Sequence, residues 1–311
     1  MMIHRTAVVH PDAQLDVDVQ VGAYTVIGPS VFVGRGTVIA SHVVIGRNVR
    51  IGAENRISSH VVIGTEAQDM SYKGAPSYVE IGDGNQFREF VTVNRGAHGE
   101  AVTRVGSRCL LMTGAHIAHD CVVGDGVIMA NLATLGGHVT VGDRVVVGGL
   151  AAMHQFVRVG RMAMVGGTAG VTQDVPPYCI VQGTPPATVR GLNAVGLKRN
   201  GISSEGMNAL KAAYRLVFRR GMTKENAIAE IEASVSRTEE VRHFLEFLKH
   251  ASRRGVSRAE RIEQPGLRVL DGGEPVPGPE LVRRLVAEEL DRRARDSRTE
   301  VDDVSGVGGG A

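Results

Sequence analysis

The sequence predicts a parallel β-helix of triangular cross-section, followed by a small group of α-helices. Three observations carry this prediction. An aliphatic residue recurs at every sixth position through Val171, a small or β-branched residue often stands two places before it, and glycine often follows it. A period of six fits neither the 3.6-residue turn of an α-helix nor the two-residue alternation of a strand; it fits a short strand plus a turn, repeated.

From Ile3 the phase runs through Val9, Leu15, Val21, Ile27, Val33, Ile39, Ile45, Ile51, Ile57 and Ile63, then through Ile81, Phe87 and Val93. It resumes from Val105 and Leu111 to Val165 and Val171, and along the whole stretch only Asp69, Ala75 and Gly99 break it. The small partner is seen in Val19, Val31, Val43, Ala115, Cys121, Ala133, Ala151 and Ala163; the glycine, in Gly22, Gly28, Gly34 and Gly46, is expected to supply the bend. Three sides of six close a coil of 18 residues, and coils stack as parallel strands about 4.8 Å apart. Residues 65–78 and 94–104 interrupt the pattern without shifting its phase, so they are expected as loops ejected from intact coils, where function tends to sit.

The phase stops after Val171, at Asp174–Tyr178, and a helical spacing takes over beyond a loop. Ser203, Thr223 and Thr238 read as N-caps of three helices, whose apolar faces hold Met207, Leu210, Tyr214 and Val217; Ile228 and Ile231; and Val241, Phe244, Leu245 and Leu248. The expected organisation is a β-helix domain over 1–189 and a helical domain over 190–262. Residues 263–311 then form a Gly/Pro-rich linker, one amphipathic helix near 281–290 and a disordered tail.

Composition narrows the function. Apolar residues make up 43% of the chain but aromatics only 4%, with no Trp, which suits an aliphatic lattice. With 35 Lys and Arg against 33 Asp and Glu, no concentrated basic surface for nucleic acid is expected. No segment approaches the roughly 18 apolar residues of a membrane span, and the N-terminus lacks a signal-peptide core, so a soluble cytoplasmic chain is expected. Cys109, Cys121 and Cys179 stand at no metal-ligand spacing and read as small buried hydrophobes.

The segment Gly114–Cys121 (GAHIAHDC) carries the chemistry. One coil of 18 residues sets His119 beneath Gly137 and Gln155, Asp120 beneath His138 and Phe156, and Ala118 beneath Gly136 and His154. Residues distant in the chain thereby gather on one edge of the prism. Acyl transfer to a hydroxyl needs a base, a group that orients it, and a donor for the developing oxyanion. His119 can be the base, Asp120 the orienting carboxylate, and Gly137 a backbone N–H open to a thioester carbonyl.

The hexads resemble those of the hexapeptide-repeat acyltransferases. That likeness implies a left-handed coil, an exception to the usual crossover hand, and a homotrimer with active sites in the clefts between prisms. The strings AQDMSYKG, HIAHDCVVG, NLATLGGHVTVGD, MHQF, GTAGVTQDVPPY and GLKRNG, spread over about residues 3–250, resemble more specifically the UDP-N-acetylglucosamine O-acyltransferases that begin lipid A synthesis. The resemblance implies transfer of a 3-hydroxyacyl group from acyl carrier protein to the sugar 3-hydroxyl, with His119, Asp120 and Gly137 in the roles just described. It implies no further cofactor, in keeping with the absence of a GxGxxG or P-loop motif.

Carried over residue by residue, the resemblance makes Asp69 a sugar contact and His116, His138, His154 and Gln155 further substrate contacts. Asn193 and Arg199 would hold the nucleotide and its phosphates, and Gly167 would bound the acyl pocket. Ser71 stands where the family usually has lysine, Pro185 where it has histidine, and Val195 and Asn200 where it has glutamate and a second arginine. These departures leave acyl length open, and also whether the acceptor bears a 3-hydroxyl or a 3-amine. Two other readings stand beside this one: a zinc enzyme of the γ-carbonic anhydrase type, with His116, His119 and His138 as ligands, and a non-catalytic trimeric scaffold. The N-acyltransferase of the next acylation usually carries an additional N-terminal domain, for which hexads beginning at Ile3 leave no room. Arg199, Arg215, Arg219, Arg220 and Lys224 form either a solvated helix face or a docking face for the acidic carrier.

Overall fold

The computed structural model describes residues 2–259, which lie in one compact unit, and two short strands of a second unit, Leu267–Arg268 and Val276–Pro277, paired antiparallel. That pair falls where a linker is expected; the helix expected near 281–290 and the tail lie outside the described residues. Residues 2–192 wind as a triangular prism whose walls are three sheets of eleven, nine and eight strands. Each strand pairs in parallel with the strand one coil away: Ile3 with Val21, Val21 with Ile39, Ile39 with Ile57. The two loops insert whole multiples of six residues. Val49 therefore still faces Val79, and Val79 faces Thr103, with every inward side chain on the correct side.

The hexad aliphatics fill the bore. Ile27, Ile39, Ile45, Ile51, Ile63, Leu111, Ile117 and Leu135 are all buried, and each contributes about 1.5–3 kcal/mol of transfer free energy. Where the small partner is polar it is satisfied in place: the Asn85 amide donates to Asn55 Oδ1 at 3.0 Å, and Asn85 Oδ1 accepts from the Cys109 N–H at 2.8 Å. Burial pushes the Cys109 thiol up to about 11 and the Cys121 thiol to about 12, and raises Cys179 in the same direction.

The glycines serve a different purpose from the one expected. A Cβ on Gly28 would stand 2.6 Å from the Gly46 carbonyl oxygen, and one on Gly22 would stand 2.6 Å from the Ala40 carbonyl carbon. They are therefore sites of close approach between coils. The bend itself falls two residues later, on residues with left-handed backbone such as Tyr24 (φ 58), His42 (φ 59) and Asp120 (φ 60). These bends form three corner columns. The first stacks Tyr24, His42, His60 and Phe90, with ring centroids 5.1, 5.3 and 5.1 Å apart, and continues through Leu132 and Leu150. The second holds Ser30, Asn48, Asp120, His138 and Phe156, and the third Glu54, Arg108, Arg144 and Met162.

The coil continues one strand past the end of the hexad phase. Cys179–Gln182 pairs in parallel with Met164–Val165, because the Pro176–Pro177 turn shortens the step without unwinding it; Thr188–Leu192 then returns antiparallel. A short helix, α1 (Ala194–Arg199), follows where a loop is expected. Next come α2 (Ser204–Phe218), α3 (Lys224–Ser234) and α4 (Glu239–Lys249). The hydroxyls of Ser203, Thr223 and Thr238 each accept a first-turn N–H, as the sequence predicts, and each cap contributes about 1 kcal/mol. The chain after α4 then folds back along the last coils: Asp174 N–H donates to the Gly255 carbonyl at 2.8 Å, and Ser257 N–H to the Asp174 carbonyl at 2.8 Å. Among the described residues no helix is long and apolar enough to cross a membrane.

Candidate active site

His119 and Asp120 lie at the second corner, directly after the inward Ile117. His119 is only 5% exposed, and its Nδ1 lies 2.8 Å from Asp120 Oδ2. Ionised Asp120 can only accept, so Nδ1 carries the ring proton and Nε2 presents a lone pair. Asp120 is itself pinned: its Oδ2 accepts from the Ala97 N–H at 3.0 Å, and its own N–H donates to Thr103 Oγ1 at 2.8 Å. His119 Nε2 faces Asp69 Oδ2 across 3.7 Å. The two loops supply Asp69 and Ala97, which explains why both leave the prism at this corner.

The coil above closes the site. His138 N–H donates to the His119 carbonyl at 3.0 Å, which sets Gly137 over the imidazole, where a Cβ would come within 2.5 Å of Nε2. Gly136 and His138 both spend their N–H groups on coil-to-coil bonds, whereas the Gly137 N–H takes no part in them. The His138 ring packs edge-on to His119 at 5.2 Å, with its Nε2 3.7 Å from Asp120 Oδ2. His116, on the wall below, has its Nδ1 2.7 Å from Thr92 Oγ1. His154 and Gln155 lie one coil beyond Gly137 on the same corner, where Arg254 donates to His154 Nδ1 and, at 2.8 Å, to the Gln155 carbonyl.

Asn193, Arg199 and Gly167 are not brought to this corner. Asn193 caps α1, accepting the Gly196 N–H at 3.1 Å, and donates to the Met162 carbonyl at 3.0 Å, which places it on the third corner. Arg199 is exposed at the end of the same helix. Gly167 adjoins Thr168 on the first corner. Two of the departures have local roles: Ser71 N–H donates to Asp69 Oδ1 at 2.7 Å, and the Asn200 amide donates to the Gly196 carbonyl at 2.8 Å. Among the described residues the three-histidine set is not assembled, and the close group of potential metal ligands is His119, Asp120 and His138.

The electrostatics follow from these contacts. The Ser71 hydroxyl and N–H hold the Asp69 carboxyl below the usual range, so it stays an acceptor. Burial, then the neighbouring charge of His119, lowers His116. Burial also lowers His138; Asp120 opposes the shift, while His119, His98 and Arg253 add to it. His243, packed against Tyr178, is lowered by burial as well. A folded-state value below the unfolded 6.5 means that the unfolded chain binds more protons as pH falls through that value. Stability is therefore expected to be full above pH 6.5 and to decline as pH falls below it. Melting temperatures taken across that range check it, and a flat profile would contradict it.

Thr103, Ala97 and His98 are absent from the sequence-based site. Thr103 lies 17 residues before Asp120, beside the Val102 that an 18-residue step reaches, so the coil rule points to its neighbourhood but not to the residue. Arg253 and Arg254 carried no such signal, since they reach the corner from a segment about 100 residues downstream of it.

Comparison with known proteins identifies the family. Residues 174–257 match the second domain of the UDP-N-acetylglucosamine O-acyltransferases, and residues 24–59 and 103–137 match the bacterial transferase hexapeptide repeat. An acyl-[acyl-carrier-protein]–UDP-N-acetylglucosamine O-acyltransferase of Syntrophobacter fumaroxidans is 48% identical over 259 residues, covering 83% of this chain and 100% of the relative. That of Thermodesulfovibrio yellowstonii is 46% identical, covering 82% and 99%. The solved LpxA of Acinetobacter baumannii superposes with a TM-score of 0.79 at 40% identity, and that of Bacteroides fragilis with 0.80 at 36%, each covering 83% of this chain and 100% of its own. The prism is the left-handed β-helix of those structures, and with relatives so similar over their full length the chain belongs to the UDP-N-acetylglucosamine O-acyltransferase family.

Proposed function

We propose that this protein transfers a 3-hydroxyacyl group from acyl carrier protein to the 3-hydroxyl of UDP-N-acetylglucosamine, the first step of lipid A synthesis, in the cytoplasm and without a further cofactor. The observation that carries the reading is the His119–Asp120 pair, with Nδ1 on the carboxylate and Nε2 beneath Gly137. His119 Nε2 takes the proton from the sugar hydroxyl, whose oxygen attacks the thioester carbonyl. The Gly137 N–H receives the developing oxyanion, and Asp120 stabilises the imidazolium. Asp69 holds the sugar, with His116, His138, His154 and Gln155 as further contacts. The carrier thiol leaves with the proton that His119 returns.

The active unit is a homotrimer. The first corner exposes Tyr24, Phe90, Leu132 and Leu150, four apolar side chains in one column, each more than half exposed. The walls on either side add Val26, Val44 and Met164, whereas the opposite wall points Arg50, Glu80 and Arg104 outward. Setting the apolar column on a threefold axis covers it. The same packing brings the His119 corner of one prism against the Met162 corner of the next, which carries Asn193 and Arg199 for the nucleotide and its phosphates. Gly167 then lies deep in the cleft, where it bounds the acyl chain.

Product analysis by mass spectrometry tests the reading. UDP-N-acetylglucosamine incubated with 3-hydroxyacyl carrier proteins of several lengths is expected to yield an O-acylated nucleotide sugar, with one length preferred. No product at any length would overturn the reading; preferential acylation of a 3-amino sugar would reassign the acceptor.

A further inference from the structure

The segment that folds back after α4 places two arginines on the catalytic corner. Arg254 donates from Nε to the Gln155 carbonyl at 2.8 Å and from a terminal nitrogen to His154 Nδ1. Arg254 thereby anchors the segment on His154 and Gln155. Arg253 is held differently: its guanidinium lies over the Phe156 ring at 3.9 Å. Phe156 stacks on His138 at 4.6 Å, and His138 meets the His119 ring at 5.2 Å. The cation thus caps a ladder of rings that ends on the catalytic imidazole.

Arg253 has no carboxylate partner among the described residues, unlike Arg104, Arg108 and Arg158, which pair with Glu80, Asp125 and Asp174. Its charge is among those that oppose protonation of His138. A stacked, preorientated guanidinium with free donors, beside a cleft, matches the oxygens of a phosphate. Both proposed substrates carry such groups, the nucleotide sugar as a diphosphate and the carrier as the phosphodiester of its pantetheine arm.

We propose that Arg253 is a phosphate-binding residue of the catalytic cleft, presented by the Phe156 ring and positioned through the anchor that Arg254 makes on His154 and Gln155. The proposal rests on the function given above for the identity of its ligands. Its test is a binding measurement that needs no turnover. Calorimetric titration of the full chain with UDP and, separately, with phosphopantetheine is expected to show binding of both. Arg253→Ala is expected to weaken one of the two by about tenfold or more, the loss of a charge-assisted contact. Arg253→Lys, which keeps the charge, is expected to recover part of the loss. The affected probe identifies the source of the phosphate, and in steady-state assays KM for the matching substrate should rise while kcat stays within about twofold.

Binding of both probes by Arg253→Ala within about twofold of the parent would overturn the proposal, as would failure of the parent chain to bind either. Equal losses in the Ala and Lys variants would assign Arg253 a packing role and overturn it too. A chain that binds both probes but forms no acylated product would refute the proposed reaction while leaving the phosphate contact standing.

Discussion

His119→Ala is expected to leave a folded trimer whose turnover falls by roughly two to four orders of magnitude, the range that a positioned general base contributes. The fold should survive because His119 stands at a corner and the bore beneath it is filled by Ile117 and Leu135, which the substitution does not touch. On the proposed roles of His119 as base and Asp69 as sugar contact, affinity for UDP-N-acetylglucosamine should change much less than kcat. Single-turnover acyl transfer, read beside calorimetric binding of the nucleotide sugar, separates the two. Retained activity within a few-fold of the parent would remove His119 from the mechanism and, with it, the reason for the Asp120 contact.

Gly137→Ala is expected to cost nearly as much, although it removes no catalytic group. An added methyl would come within 2.5 Å of His119 Nε2 and closer still to Cε1. The imidazole has little room to withdraw, being 5% exposed and bound to Asp120 at 2.8 Å. Either the ring turns away from its carboxylate or the coil shifts, and a displacement of about 1 Å in a catalytic group can cost about a hundredfold in rate. The same methyl crowds the N–H proposed for the oxyanion. The expected signature is a fall in kcat of about two orders of magnitude with a melting temperature close to the parent. Gly191→Ala is the control: a Cβ there meets nothing within 4 Å, and turnover should be largely unchanged. Equal activity in the Gly137 and Gly191 variants would show that the close packing over His119 does not matter to the reaction.

Much of the site was legible before any coordinates, because a solenoid turns sequence separation into spatial separation by a fixed rule. Adding 18 residues to Asp120 gives His138 and then Phe156, and in the structure those two rings stack at 4.6 Å. The same rule failed where the chain leaves the lattice. It assigned the bends to glycines, whereas the structure puts them on residues such as Asp120, His138 and Phe156 and uses the glycines where one coil's backbone touches the next. A hexad pattern records that a backbone must be bare at a given position; it does not say whether the reason is torsional or steric. The hexad phase stops at Val171, since Pro176 and Pro177 break it, while the strand Cys179–Gln182, inside the expected β-helix domain of 1–189, still joins the sheet.

The loops and the return segment were opaque for a related reason. Nothing in AQDMSYKG says that Asp69 will end 3.7 Å from an imidazole 50 residues later, or that Ser71 will hold its carboxylate. Those positions depend on where a loop comes to rest, which is set by contacts rather than by a repeat.

By itself, then, the sequence determined the coil, its register, the aliphatic bore, the three helix caps and the meeting of His119, Asp120, Gly137 and His138 on one corner. All of these follow from local periodicity, in which each residue's environment is copied from the one a coil away. Only the tertiary structure decided which nitrogen of His119 is free, that Asp69 and Ala97 close on it, that Asn193 belongs to a different corner, and that Arg253 and Arg254 reach the site from the end of the helical segment. Those outcomes rest on hydrogen-bond directions and on contacts between parts of the chain that no period relates.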